Sequence, residues 1–415
     1  MKIQAARLIT ILFVIISGGC SKEPQQDTSQ ADLAFQKSLL TQLISAQPGD
    51  IITVPAGTHQ ITRGLSLNVS GVTLRGEGMD TSVLSFRGQV QGAEGLLVSA
   101  SDFTIEDLAI EDTRGDALKI NEGSNIVIRR VRTEWTNGPD VENGAYGIYP
   151  VQTENVLLEE CVAIGASDAG IYVGQSKNVI IRNNRAEYNV AGIEIENTIG
   201  ADVYGNTVTN NTGGILVFNM PDLLQEGHST RVYDNRIVAN NTENFGAAGT
   251  PVASVPAGSG VVINSNDKVE IFDNDIADND TANVIISSYY STGYQGTLEM
   301  AEHYDPYPET IFIYGNRFSG GGSSPDGLDL QALRIAIFGF NGSFPDILWD
   351  GYANADKLDA NGHLNPEFAI CVENDDAVVL NADMGNDSEN IETGSAQHKC
   401  QLEKLPEISL ASLGS

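Results

Sequence analysis

The chain is short of basic residues, of histidine, and of any long apolar run beyond its first twenty positions. Lysine and arginine number 23 against 55 aspartates and glutamates, giving a formal net charge of −32 over 415 residues. A surface this acidic is repelled by nucleic acid and by anionic membrane faces, so nucleic acid is excluded as a partner. The five histidines, His59, His228, His303, His363 and His398, stand before, between or after the repeating segments described below. That placement argues against a histidine metal centre or a Ser-His-Asp triad inside the repeats, though His228 and His303 fall in insertions. No motif implies a cofactor. Asp356, Asp359, Asn361 and Gly362 resemble a calcium loop, but the acidic residues are out of step with the ligand positions. Cysteine is scarce as well, with four in all. Cys161 lies in an apolar strand and reads as a buried thiol. Cys371 and Cys400 lie in the non-repetitive tail, where an oxidising compartment would allow a disulfide; a metal pair is the alternative, without a CxxC to support it.

What is present begins with a leader. Lys2 and Arg7 precede the apolar run Leu8 to Ile16, which is too short to span a membrane and matches a signal segment. Ser17-Gly18-Gly19-Cys20 resembles a bacterial lipobox, with Ser17 where leucine is usual. That resemblance implies lipidation of Cys20, and Ser21 in place of aspartate favours the outer membrane; an ordinary signal peptide with a coincidental cysteine is the alternative. Removing residues 1–19 takes away two positive charges and leaves the mature chain still more acidic. Residues 20–32 are expected to form a tether.

Two patterns then alternate down the chain. One is a small residue followed by an apolar one, as in Ala117-Leu118, Gly147-Ile148, Gly170-Ile171, Gly192-Ile193 and Gly214-Ile215. The other is an alternating strand ending at Leu108, Val131, Cys161, Asn184, Asn206, Asn235, Asn274 and Asn316, with spacings of 23, 30, 23, 22, 29, 39 and 42. A base period of 22–23 with occasional insertions is the mark of a solenoid, in which each unit buries its face against its neighbours. Alternation with period two makes the units strands: Val179 and Ile181 point inward, Ile180 and Arg182 outward. The expected fold is all-β, a right-handed parallel β-helix of about 8–11 coils over residues 33–318. Its five late asparagines, Asn184, Asn206, Asn235, Asn274 and Asn316, form a buried structural ladder. Leu33, Phe35, Leu39, Leu40, Leu43 and Ile44 give residues 33–46 a helical apolar face that caps the first coil. Beyond Asn316 the period fades; Leu333 to Phe340 reads as one more strand, and residues 319–415 as an irregular C-terminal cap.

The segment Gly49-Asp-Ile-Ile-Thr-Val-Pro-Ala-Gly-Thr58, followed by Gly71-Val-Thr-Leu-Arg-Gly-Glu-Gly78, resembles exported right-handed β-helix proteins. These include polysaccharide lyases, mannuronan epimerases and periplasmic copper-accessory proteins. The whole chain is most similar to a family of bacterial parallel β-helix repeat lipoproteins of unknown function, whose members tend to be encoded beside a second exported family. The Asp-Pro-His-Asp motif of the epimerases is absent, so their chemistry does not carry over.

Sites on a solenoid lie where outward side chains stack beneath inserted loops, here near 136–144, 219–229, 240–258 and 288–309. Lys119, Tyr149, Tyr172 and Glu194 follow the small-apolar pairs on successive coils and are the catalytic candidates: a lysine or tyrosine would take a uronate proton in lyase or epimerase chemistry. Arg132, Arg185, Arg236 and Arg317 follow the turn positions and would clamp substrate carboxylates. The plainer readings are a solvated strand face and local pairing with abundant carboxylates. Two functions are therefore open. One is an envelope protein that binds, or also processes, an acidic polysaccharide, with the two columns converging on one groove. The other is a non-catalytic scaffold acting with a second exported protein.

Overall fold

A computed structural model describes residues 30–410 and 413, apart from 361 and 375. The leader, Cys20 and most of the tether lie outside the described residues. Each full coil carries three strands, as in Ala169–Gly174, Lys177–Arg182 and Arg185–Glu187. Strands of the first kind stack into a twelve-stranded front sheet, parallel until the final Glu392–Gly394, which pairs antiparallel. Strands of the other two kinds share a nineteen-stranded sheet that wraps the remaining faces. Register is strict: Val156, Val179, Ala201, Thr230, Val269 and Ile311 are successive partners. Stacked strands sit roughly 4.8 Å apart. Inward residues such as Val179, Ile181, Ile193 and Ile215 are fully buried in one continuous core.

The corner after the second strand shows why the turn sequences look alike. Asn183, Gly205, Asp234, Asp273 and Gly315 all have φ between 52° and 65°. That left-handed conformation is favoured for glycine, asparagine and aspartate. The next residue turns inward and is the ladder asparagine. Asn206 Nδ2 donates to Asn235 Oδ1 at 2.9 Å and to the Ile181 carbonyl at 3.0 Å, and its backbone N–H donates to Asn235 Oδ1 at 3.0 Å. The same pattern links Asn184 to Asn206, Asn235 to Asn274, and Asn274 to Asn316. A second ladder, five residues further along each coil, runs through Asn189, Asn211, Asn240 and Asn279. The sequence carried this signal as a fixed offset from the first ladder.

Both ends differ from expectation. The cap helix α1 (Gln30–Ser45) starts inside the expected tether. Leu39 and Leu43 are buried against the first strands, whereas Leu33 and Ile44 face solvent, because the packed stripe is narrower than the apolar one. At the other end the coil persists past Asn316. Ile347–Trp349 and Val379–Asn381 extend the front sheet, and Ile370–Glu373 the other sheet. Leu333 to Phe340, expected as a strand, instead falls largely in helix α2 (Leu328–Phe338). The strand place beside Ala282–Ser287 is taken by Ile347–Trp349, so α2 has no sheet edge to join. Cys371 and Cys400 are disulfide-bonded, and Cys161 is a buried thiol. From Cys400 the chain returns along the outside of the nineteen-stranded sheet. There the Leu405 N–H donates to Glu270 and the Ile408 N–H to Asp202, and Leu410 packs on Leu157 and Ile180.

Candidate functional site

The outward column of the front sheet brings Lys119, Tyr149, Tyr172 and Glu194 together on successive strands. Lys119 Nζ lies 4.6 Å above the Tyr149 ring and 3.8 Å from Asp116. Tyr146, at the start of the strand that carries Tyr149, completes an aromatic cluster. Its ring centroid is 4.4 Å from Tyr149 and 4.6 Å from Tyr172. Period-two alternation puts Glu196 beside Glu194 on the same face, and Asp168 stands at the corner just before the tyrosine strand. Tyr172 Oη donates to Glu196 Oε1 at 2.5 Å, and Tyr146 Oη donates to Asp168 Oδ2 at 3.3 Å.

Two insertions wall this face. Val252 and Val255 from the 240–258 loop pack on Tyr172, Leu216 and Phe218, with Phe245 against the same cluster. Tyr294 from the 288–309 loop bonds Asn264 of the front sheet at 3.1 Å. The cover removes water from the carboxylates, and their mutual repulsion adds to the effect. Asp168 and Glu196 are each pushed up to about 7, chiefly by burial. Glu194 is also raised by burial and by Asp168 and Glu196, and one of its oxygens has no hydrogen-bond partner. Asp116, at the more open end, rises to about 6. The same burial and carboxylates push Tyr146, Tyr149 and Tyr172 upward. A tyrosinate base is thereby disfavoured, and the hydroxyls serve as donors to carboxylates that exchange protons near neutrality. Sequence reasoning missed Tyr146, Asp168 and Glu196; for Glu196 the signal was its two-residue offset from Glu194.

The arginine column does not converge on this face. Arg132, Arg185, Arg236 and Arg317 project from the third strand of each coil, in line with Val162, Thr207 and Asp275. Arg132 pairs with Glu111 at 2.7 Å and with Glu134; Arg185 pairs with Glu187 at 2.6 Å and Arg317 with Asp275 at 3.8 Å. Local ion pairing explains these three. Among the described residues one group, Asp267, Asp305 and Glu309, has carboxylates close enough to hold a cation. Lys357 already bridges Asp305 and Glu309 at 2.7 and 2.5 Å. Asp356 and Asp359 lie in the neighbouring tail, and Asn361 of the calcium-like loop is outside the described residues.

The stacked parallel coils define the class of the chain. The family model for the right handed beta helix region matches residues 70–223 and again 140–299. The chain belongs to the right-handed β-helix family. No curated protein matches its sequence. Among solved structures it is similar to the mannuronan C-5 epimerase AlgE6 A-module of Azotobacter vinelandii, with 19% identity, a TM-score of 0.50, and coverage of 84% of this chain and 90% of that one. It is also similar to the tailspike protein of E. coli bacteriophage HK620, solved with a pentasaccharide, with 11% identity and a TM-score of 0.50. That match covers 79% of this chain and 57% of the tailspike. A DFA-IIIase from Arthrobacter chlorophenolicus A6, in complex with DFA-III, matches at 11% identity and a TM-score of 0.43 over 80% of this chain and 90% of that one. At these identities the likeness is one of fold.

Proposed function

We propose that the chain is a carbohydrate-processing protein whose front face cleaves a neutral glycan by acid–base chemistry at Asp168, Glu194 and Glu196. The observation that carries this reading is a set of buried carboxyls, two of them held near 7, on the face walled by two insertions. Carboxyls that repel one another share protons, so at neutral pH one is protonated while another is ionised. The protonated member gives its proton to the leaving glycosidic oxygen, and the ionised one takes a proton from the attacking water. Tyr172 and Tyr146 orient Glu196 and Asp168 through their hydroxyls, and the half-buried Tyr146 and Tyr149 rings offer apolar surface to sugar C–H groups. Lys119 is paired with Asp116, while Asp168, Glu194 and Glu196 repel one another, so a polyuronate would meet net negative charge. For that reason a neutral substrate fits better than the acidic polysaccharide suggested by the arginines.

The test is to incubate the protein with neutral and acidic glycans and follow release of reducing ends. Cleavage of a neutral glycan is expected, with Glu196→Gln slowing it by roughly a hundredfold or more while its fold is retained. Release of unsaturated uronate products, or full activity in both Glu196→Gln and Asp168→Asn, would overturn the reading.

A further inference from the structure

The C-terminal end of the column holds a second concavity, apart from the front-face carboxylates. It encloses about 800 Å³, within the range of small-molecule sites. Its walls combine aromatic rings with amides. Tyr290 lies 5.5 Å from Tyr307 and 5.4 Å from Tyr352, centroid to centroid, and Asn381 and Asn390 join the lining.

Two buried polar groups at this wall have no partner among the described residues. The Trp349 indole Nε1 makes no hydrogen bond, although its residue is 9% exposed. His398 is 5% exposed; its Nδ1 lies 3.0 Å from the Ile370 carbonyl, and its Nε2 makes no bond. A carbonyl oxygen only accepts, so Nδ1 carries the proton and a neutral ring presents Nε2 as an acceptor. Burial lowers the histidine pKa and keeps the ring neutral. The two rings meet edge to face, with centroids 5.8 Å apart. A donor and an acceptor thus belong to rings in contact, each costly to leave buried and unpaired.

The neighbourhood holds both groups in place. Cys371 follows Ile370, Cys400 lies two residues beyond His398, and their disulfide ties the two strands of chain that carry the pair. Trp349 is fixed by strand pairing of Ile347–Trp349 on both sides. The two carboxylates of the lining already have partners: Asp383 accepts from Asn390, and Glu392 from Gln397. Among the described residues that line the cavity, these carboxylates meet no lysine or arginine. An anionic ligand is therefore disfavoured.

We infer that this end pocket binds a neutral polyhydroxylated ring, whose hydroxyls accept from Trp349 Nε1 and donate to His398 Nε2. Hydroxyls satisfy donors and acceptors alike. The tyrosines take the apolar faces of the ring. The inference stands whether or not the front face is catalytic.

The test uses the full chain and a set of unmodified neutral mono- and disaccharides, followed by NMR of the indole N–H signals. Trp135 is the internal control, because its Nε1 already donates to the Thr113 carbonyl at 2.8 Å. Saturable movement of the Trp349 signal is expected, with the Trp135 signal unmoved. His398→Asn retains a donor for the Ile370 carbonyl and lacks the Nε2 acceptor, so it should weaken binding at least tenfold. Overturning results are a Trp349 signal unmoved by every sugar, or His398→Asn binding as tightly as the parent. The wild-type indole signal decides the matter even where a variant fails to fold.

Discussion

At the scale of single residues, the ladder asparagines are the most demanding positions in the chain. Asn206 accepts from the Asn184 backbone and side chain at 2.9 Å each while donating to Asn235 and the Ile181 carbonyl. Asn206→Ala would strand several of these groups in a buried corner, at a cost of about 3 kcal/mol. Urea denaturation checks this, and a loss below about 0.5 kcal/mol would remove the ladder from the account. The front-face carboxyls act through pH. Asp168 and Glu196 keep their protons to about 7 in the folded chain, against ordinary values of 3.8 and 4.5. The folded state binds more protons between those limits, so these two groups lower stability as pH rises through that interval. Subtracting the denaturation curves of an Asp168→Asn/Glu196→Gln variant from the parent at pH 5 and pH 8 should leave that fall; a rise would contradict it. The asparagines were legible because stacking repeats them at coil spacing. Asp168 was not, since its character comes from loops that the period does not describe.

Among elements, the strands were readable and their interruptions were not. Val179 and Ile181 enter the continuous core, whereas Ile180 between them points outward and is covered by Leu410. Leu333 to Phe340 alternates too, yet folds mainly as α2, because only pairing decides between strand and helix in so short a run. The grouping of Lys119, Tyr149, Tyr172 and Glu194 was visible as a column. Its separation from the arginines was not, since it depends on which of three strands in a coil bears each residue. The tail gains its order from a cross-link. The disulfide closes a sequence separation of 29 residues, and replacing Cys371 and Cys400 with alanine should cost about 3–4 kcal/mol. Hydrogen exchange should place the loosening in residues 370–400; uniform loosening from the first coil onward would argue against a local staple.

For the whole molecule, a solenoid is a line of neighbours, and a line of neighbours frays from its ends. The returning C-terminal segment changes that arithmetic. Ile408 reaches Asp202, 206 residues earlier in the chain, and Leu405 reaches Glu270. Between those anchors Arg231 pairs with Asp202 at 3.0 Å and with Glu270 at 3.5 Å, all three nearly buried. Ending the chain after Cys400 would leave these charges uncovered and the coils between Leu157 and Glu270 held only by stacking. Pulled from its two ends in an optical trap, the full chain should then yield in one large rupture and the shortened chain in a staircase of small ones; identical traces would deny the segment any such part. A clasp laid along the axis converts a row of separately failing rungs into a single mechanical unit.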